Sequence, residues 1–199
     1  MRGLLIAFEG LDQSGKQTQA ERLRDALVAE QRLVRLLSFP AYETAIGAEI
    51  ARALRGHHEY SSEVMQLLYV ANRYEHKSLI EAETARGTIV VCDRYLASSV
   101  AYGEAQGLDP QWLLDMQAHL PQPDLTFLLD IAPDVSARRK AHDRDRYERD
   151  LALLGRVRES YLQQAQRCQW HVLDASRERD LVAGDVARAV RPLLRDTDS

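Results

Sequence analysis

The segment Leu4-Leu5-Ile6-Ala7-Phe8-Glu9-Gly10-Leu11-Asp12-Gln13-Ser14-Gly15-Lys16 joins an apolar run, a glycine-bounded loop and a lysine. Leu4 to Phe8 is short and apolar on both faces, which predicts a strand buried in a sheet covered on both sides. Gly10 stops it. From Gly15 to Ala29, the residues Ala20, Leu23, Ala26 and Leu27 recur at helical spacing, so the order is strand, loop, helix. A loop in that place suits phosphate. Its glycines let backbone N–H groups approach phosphate oxygens, the helix N-terminus adds free donors, and Lys16 brings a mobile positive charge toward the β and γ phosphates. One position departs from the usual motif. The residue after the lysine is normally Ser or Thr, whose hydroxyl ligates magnesium, and here it is Gln17. The Gln17 carboxamide, Thr18 or a water are the alternatives for that role.

Working outward, Leu33 to Leu37 is a second candidate strand, ended by Phe39-Pro40. Ile46 to Leu54 reads as a helix, and Ser62 to Ala85 as one longer helix closed by Gly87. Thr88 to Cys92 is a β-branched run with Asp93-Arg94-Tyr95 at its carboxyl end. Helical stretches follow near Ala97 to Ala105 and Trp112 to His119. Leu125 to Ile131 is a fourth strand, with Pro133 suited to the first turn of the next helix. After Leu151 to Cys168 (helix), His171 to Leu173 supplies a fifth strand and Leu181 to Leu194 a closing helix. Strands alternating with helices predict an α/β fold, a five-stranded parallel sheet with helices on both faces.

The chain has 199 residues, 45% hydrophobic and 28% charged, with no Pro/Gly/Ser-rich tract dividing it, so a single domain over 1–199 is expected. A net charge of -4 argues against a stable nucleic-acid partner. No stretch is long and apolar enough to serve as a signal peptide or membrane span. Cys92 and Cys168 give neither metal-ligand spacing nor a disulfide framework and read as thiols of a reducing, cytoplasmic compartment. The six histidines are scattered and carry no assigned role.

Phe8 to Asp12 continuing through Gly15-Lys16-Gln17-Thr18-Gln19 resembles the P-loop of thymidylate kinases, with its acidic residue inside the loop and Thr-Gln after it. Phe39-Pro40, Ala71-Asn72-Arg73-Tyr74-Glu75, and Asp93-Arg94-Tyr95 with Ser98-Ser99-Val100-Ala101-Tyr102 resemble the same family in the same order, from Leu4 to about Leu173. The resemblance implies a three-layer α/β/α P-loop kinase fold with a helical lid, ATP as donor, dTMP as acceptor, Mg2+ as cofactor and a homodimer. Carried over by position, Gly10, Leu11, Asp12, Gln13, Ser14, Gly15, Lys16, Gln17 and Thr18 would bind ATP. Tyr69 would stack on thymine, Arg73 donate to a base carbonyl, and Phe39 and Pro40 close the slot. Arg94 would hold the acceptor phosphate, with Ser98 and Ser99 beside it, and Tyr102 would lie against the deoxyribose. Asp12 would contact the acceptor's 3′-hydroxyl or the magnesium shell. Family members often carry an Arg after Phe-Pro; here Tyr42 stands near that place, with a hydroxyl for the phosphate. Taken singly, Tyr69 also fits a core position, Arg73 a solvated face, and Asp93-Arg94 a surface ion pair.

Arg138, Arg139, Lys140, Arg144, Arg146 and Arg149 cluster in an otherwise acidic chain. A charge run alone suits a solvated segment. Its place after the fourth strand matches the family's lid, here about 138–150, which contributes arginines to the migrating phosphoryl group. Arg139, Arg144 and Arg146 are the candidates, Arg139 and Arg144 also for ATP binding, with Tyr147 toward the nucleotide sugar and Glu148 in the metal's water shell. The catalytic set expected is Lys16, Asp12, Arg94, Arg139 and Arg146. Two competing readings remain at this level: a deoxynucleoside kinase with Glu9 as base, and a non-catalytic nucleotide-binding module, motivated by Gln17.

Overall fold

The computed structural model describes residues 2–139 and 150–196. Its strands are β1 (Leu5–Glu9), β2 (Val34–Ser38), β3 (Ile89–Asp93), β4 (Leu125–Asp130) and β5 (His171–Asp174). The helices are α1 (Lys16–Ala29), α2 (Ala45–Leu54), α3 (Ser62–Tyr74), α4 (Lys77–Ala85), α5 (Leu96–Ala105), α6 (Pro110–Asp115), α7 (Pro133–Arg139), α8 (Leu151–Cys168) and α9 (Arg179–Asp196). The strands form one parallel sheet in the order β2-β3-β1-β4-β5. Central β1 is buried along its whole length, as the apolar run Leu5 to Phe8 requires, and its last residue, Glu9, is buried with it. Its alternate residues enter separate cores. Ile6 and Phe8 join the cluster holding Leu23 and Leu27 of α1 and Val186 and Val190 of α9, whereas Leu5 and Ala7 join Ile80 of α4, Phe39 and Tyr95. Phe8 faces Phe127 in register, with ring centroids 5.1 Å apart.

Two element expectations need correcting. The long helix over Ser62 to Ala85 is two helices, α3 and α4, broken at Glu75 and His76. The His76 backbone N–H bonds to Arg73 O, three residues back, and its ring Nδ1 lies 3.2 Å from the Asn72 carbonyl oxygen. The side chain thereby occupies the acceptor that a continuing helix would use. The helix placed at Trp112 to His119 starts earlier and is shorter: Asp109 caps it through the Gln111 N–H, Pro110 takes the first turn, and it ends at Asp115.

This topology brings the carboxyl ends of β1, β3 and β4 side by side. The loop Gly10 to Gly15 leaves β1, Asp93-Arg94-Tyr95 lies at the end of β3 and leads into α5, and α7 follows β4. Parallel sheets bind ligands at this edge, beyond the strand carboxyl ends.

Candidate active site

The loop is shaped by its glycines. Gly10 has φ 137°, and a Cβ there would lie 2.4 Å from the Leu129 carbonyl oxygen, so no other residue fits. Gly15 stands at the helix N-cap in the left-handed region, leaving the first N–H groups of α1 without side-chain caps. Lys16 is folded under the loop, 6% exposed, and donates from Nζ to the Leu11 carbonyl at 2.7 Å. Burial, followed by the nearby Arg94 charge, pushes its pKa down to about 8, with Asp12, Asp93 and Glu9 offsetting part of the effect. Leu11 puts its side chain into the core and faces the site only through its backbone.

Arg94 stands at φ 61°, a left-handed conformation that turns its side chain back over the loop. Its Nη2 contacts Asp12 Oδ1 at 2.6 Å, and Nη1 donates to Gly10 O, Ser98 Oγ and Tyr161 Oη at 3.1, 3.2 and 3.1 Å. Tyr102 donates to Asp12 Oδ2 at 3.2 Å, and the guanidinium sits 5.5 Å from its ring centroid. Burial alone would raise the Asp12 pKa, but Arg94 and Lys16 hold it well below the usual carboxylate range.

Beneath this pair lies Glu9, 1% exposed. It accepts from the Tyr95 and Ala97 N–H groups, from Ser98 and from Tyr161. A carboxylate so fully engaged orders its neighbours and has no open path to a sugar hydroxyl. That observation counts against the deoxynucleoside kinase reading.

Two clefts meet here. A narrow one is lined by Asp12, Phe39, Pro40, Tyr42, Leu54, Gln66, Tyr69, Arg73, Arg94, Ser98, Ser99 and Tyr102. Phe39 and Tyr69 give it apolar walls, and Arg73, 3% exposed, donates from Nη1 to Ser99 Oγ at 2.7 Å at its inner end. The second cleft is broad and polar. It runs over Gln13 to Gln19 and out to Arg139, Arg177, Arg179 and Val182. Asp12, Phe39, Pro40, Tyr42 and Arg94 line both, so the clefts join at the Asp12–Arg94 pair. Arg139, at the end of α7, reaches the loop through the Gln13 carbonyl at 3.1 Å, and Ser136 of the same helix donates to Asp12 O at 2.7 Å. Arg144, Arg146, Tyr147 and Glu148 lie outside the described residues.

A slot for one flat ligand beside a polyphosphate cradle fits several phosphotransferases, and similarity to known chains separates them. The family model for thymidylate kinase matches residues 8–186. The chain belongs to the thymidylate kinase family. It is 35% identical to the thymidylate kinase of Plasmodium falciparum (95% of this chain, 90% of that one) and 38% identical to that of Schizosaccharomyces pombe (74% and 70%). The human thymidylate kinase is 32% identical over 93% of this chain and 88% of its own. A solved structure of thymidylate kinase from Candida albicans superposes with a TM-score of 0.84 at 30% identity, covering 96% of this chain and 92% of that one. The protein is accordingly a nucleoside monophosphate kinase that phosphorylates dTMP with ATP as donor.

Several residues of this thymidylate kinase site were not singled out from sequence. Tyr161 shares helical spacing with Leu154 and Val157 on α8, so it reads as core, and nothing in its neighbourhood marks the hydroxyl that reaches Arg94. Gln66 did carry a signal, being a polar residue on the same helical face as Tyr69 and Arg73. Gln17 is exposed and turned to Glu21 at 2.9 Å. Asp12, expected near the metal, is taken up by Arg94 and Tyr102. Among the described residues no three His, Cys, Asp or Glu side chains gather as a metal cluster. Asp93 Oδ1 and Ser14 Oγ, however, are buried beside the loop without hydrogen-bond partners among the described residues. One open carboxylate oxygen and a hydroxyl near phosphates suit magnesium, which keeps several waters and takes one or two protein oxygens.

Proposed function

We propose that the narrow cleft holds dTMP and the broad one ATP, and that the γ-phosphoryl passes to the dTMP 5′-phosphate at the Asp12–Arg94 junction, giving ADP and dTDP. The observation that carries this is the joining of the two clefts at that pair. The acceptor phosphate has a second pKa of about 6 and is already largely dianionic at neutral pH, so no general base is needed. Catalysis then consists of positioning and charge neutralisation. Lys16 leaves the Leu11 carbonyl for the phosphates of ATP. Arg94, aimed by Glu9, Ser98 and Tyr161, holds the acceptor phosphate, while Asp12 keeps the guanidinium in place and meets the 3′-hydroxyl. Tyr69 and Phe39 sandwich the base, Tyr102 packs against the deoxyribose, and Tyr42 adds its hydroxyl at the mouth. Arg139, with Arg144 and Arg146, supplies positive charge from the ATP side. Asp93 and Ser14, with Glu148 through water, would hold magnesium, which when bound would supply charge neutralisation at phosphate oxygens.

Residues 1–199 are read as one P-loop kinase domain with its lid at about 138–150, working in the cytoplasm as a homodimer. Val64 and Leu67, exposed on α3, supply an apolar face for the second copy. Initial rates with ATP and either dTMP or thymidine test the acceptor: ADP release is expected with dTMP alone, and phosphorylation of thymidine but not dTMP contradicts the proposal. Turnover of dTMP that disappears in Lys16→Ala excludes the non-catalytic reading.

A further inference from the structure

Gln66 lies on α3 three residues before Tyr69 and seven before Arg73, so the three share one helical face and line the narrow cleft together. Gln66 is 1% exposed, and its Oε1 is buried with no hydrogen-bond partner among the described residues. A buried carbonyl left unpaired is unfavourable, and native proteins retain few of them without a reason. Arg73 Nε, on the same helix, is also buried and unpaired, although the guanidinium is fixed through Nη1 to Ser99 Oγ at 2.7 Å. The remaining walls there, Leu54, Phe39, Pro40 and the Tyr69 ring, are largely apolar. Two side chains that line the cleft thus carry, among the described residues, one unpaired acceptor and one unpaired donor that solvent does not reach.

We propose that Gln66 is a specificity-determining residue for the nucleobase, its Oε1 accepting a hydrogen bond from the imide N–H while Arg73 donates to a neighbouring base carbonyl. The inference rests on the reading that this cleft holds dTMP. Thymine and uracil carry a ring N–H flanked by carbonyl oxygens, which complements an acceptor next to a donor. Cytosine carries a bare ring nitrogen and an amino group at those positions. A carboxamide can turn over to meet the ring nitrogen, but with Arg73 on the carbonyl that cytosine replaces by its amino group, the guanidinium has no acceptor lone pair to offer, so one of the two is mispaired. The pair therefore selects imide-bearing pyrimidines and is blind to the 5-methyl group.

Gln66→Met removes the polar atoms at nearly constant volume and separates this role from simple burial. The variant is expected to melt at the same temperature as the wild type or higher, because the unpaired buried amide is gone. Its KM for dTMP should rise about tenfold or more, its KM for ATP should change by less than about twofold, and the preference for dTMP over dCMP should shrink. Unchanged dTMP KM and unchanged dTMP/dCMP preference overturn the proposal, as does an equal rise in both KM values. Should Gln66→Met not fold, Gln66→Asn, which keeps the amide but withdraws it by one carbon, is expected to raise the dTMP KM; an unaltered value overturns the proposal equally. A wild-type enzyme that does not phosphorylate dTMP at all refutes the reading of the cleft itself, independently of Gln66.

Discussion

Lys16 and Arg94 show how the same physics treats two buried cations differently. Among the described residues Lys16 has only a backbone carbonyl as hydrogen-bond partner, and burial, then Arg94, depress its pKa to about 8 from an ordinary 10.5. Arg94 is also desolvated, but Asp12 together with Tyr102 and Tyr161 outweighs that burial and keeps it charged. Between about pH 8 and 10.5 the unfolded chain binds more protons at Lys16 than the folded one, so this group's contribution to stability improves as pH rises through that window. ATP acts in the opposite sense, because its phosphates favour the charged lysine. Calorimetry near pH 8.5 in buffers of different ionisation enthalpy is therefore expected to show proton uptake on ATP binding, and affinity should fall as pH rises above about 8. Proton-neutral binding would mean that Lys16 is already fully charged in the free protein. Arg94→Ala is expected to lower kcat/KM for dTMP by about a hundredfold or more, consistent with loss of roughly 3 kcal/mol of charge-assisted contact. ATP affinity should stay within about threefold. Equal losses for both substrates, measured by steady-state kinetics and direct ATP binding, would remove Arg94 from the acceptor side.

At the level of elements, the parts of the chain that carry periodic apolar residues were legible, and those set by side-chain caps were not. β1 and α1 follow from Leu4 to Phe8 and from the spacing of Ala20, Leu23 and Leu27, since burial alone specifies them. The break between α3 and α4 was invisible because no Gly or Pro marks it. It depends on His76 reaching the Asn72 carbonyl, while the Asn72 side chain bonds to Ala41 and Glu75, contacts between residues far apart or with no breaker signature. Motif residues fared similarly. Gly10, Lys16 and Arg94 announce themselves by type and place, whereas Tyr161 and Ser136 are ordinary core-side residues until the fold sets them against Arg94 and the loop. Ser136 gives an element-scale prediction. Its hydroxyl ties α7 to the Asp12 carbonyl, so Ser136→Ala leaves a loop acceptor unpaired and should destabilise the protein by about 1 kcal/mol. Thermal melting should fall by a few degrees and ATP affinity by severalfold. An unchanged melting temperature and ATP affinity would show that α7 does not support the loop.

Across the whole molecule, the strand order β2-β3-β1-β4-β5 does the assembling. It sets the loop after β1 between the segment after β3, which carries Arg94, and α7 after β4, whose Arg139 reaches the Gln13 carbonyl. Two clefts built from different crossovers therefore meet at the Asp12–Arg94 pair. The proposed transfer without a general base uses this arrangement, with donor and acceptor in line across fixed charge and the buried Glu9 carboxylate fully occupied in holding the scaffold. The most direct test follows both phosphorus-containing products by 31P NMR in a single reaction of the wild-type protein with ATP, magnesium and dTMP. ADP and dTDP should appear in equal amounts at the same rate, with no inorganic phosphate. ADP accompanied by inorganic phosphate and unchanged dTMP would contradict transfer across the Asp12–Arg94 junction.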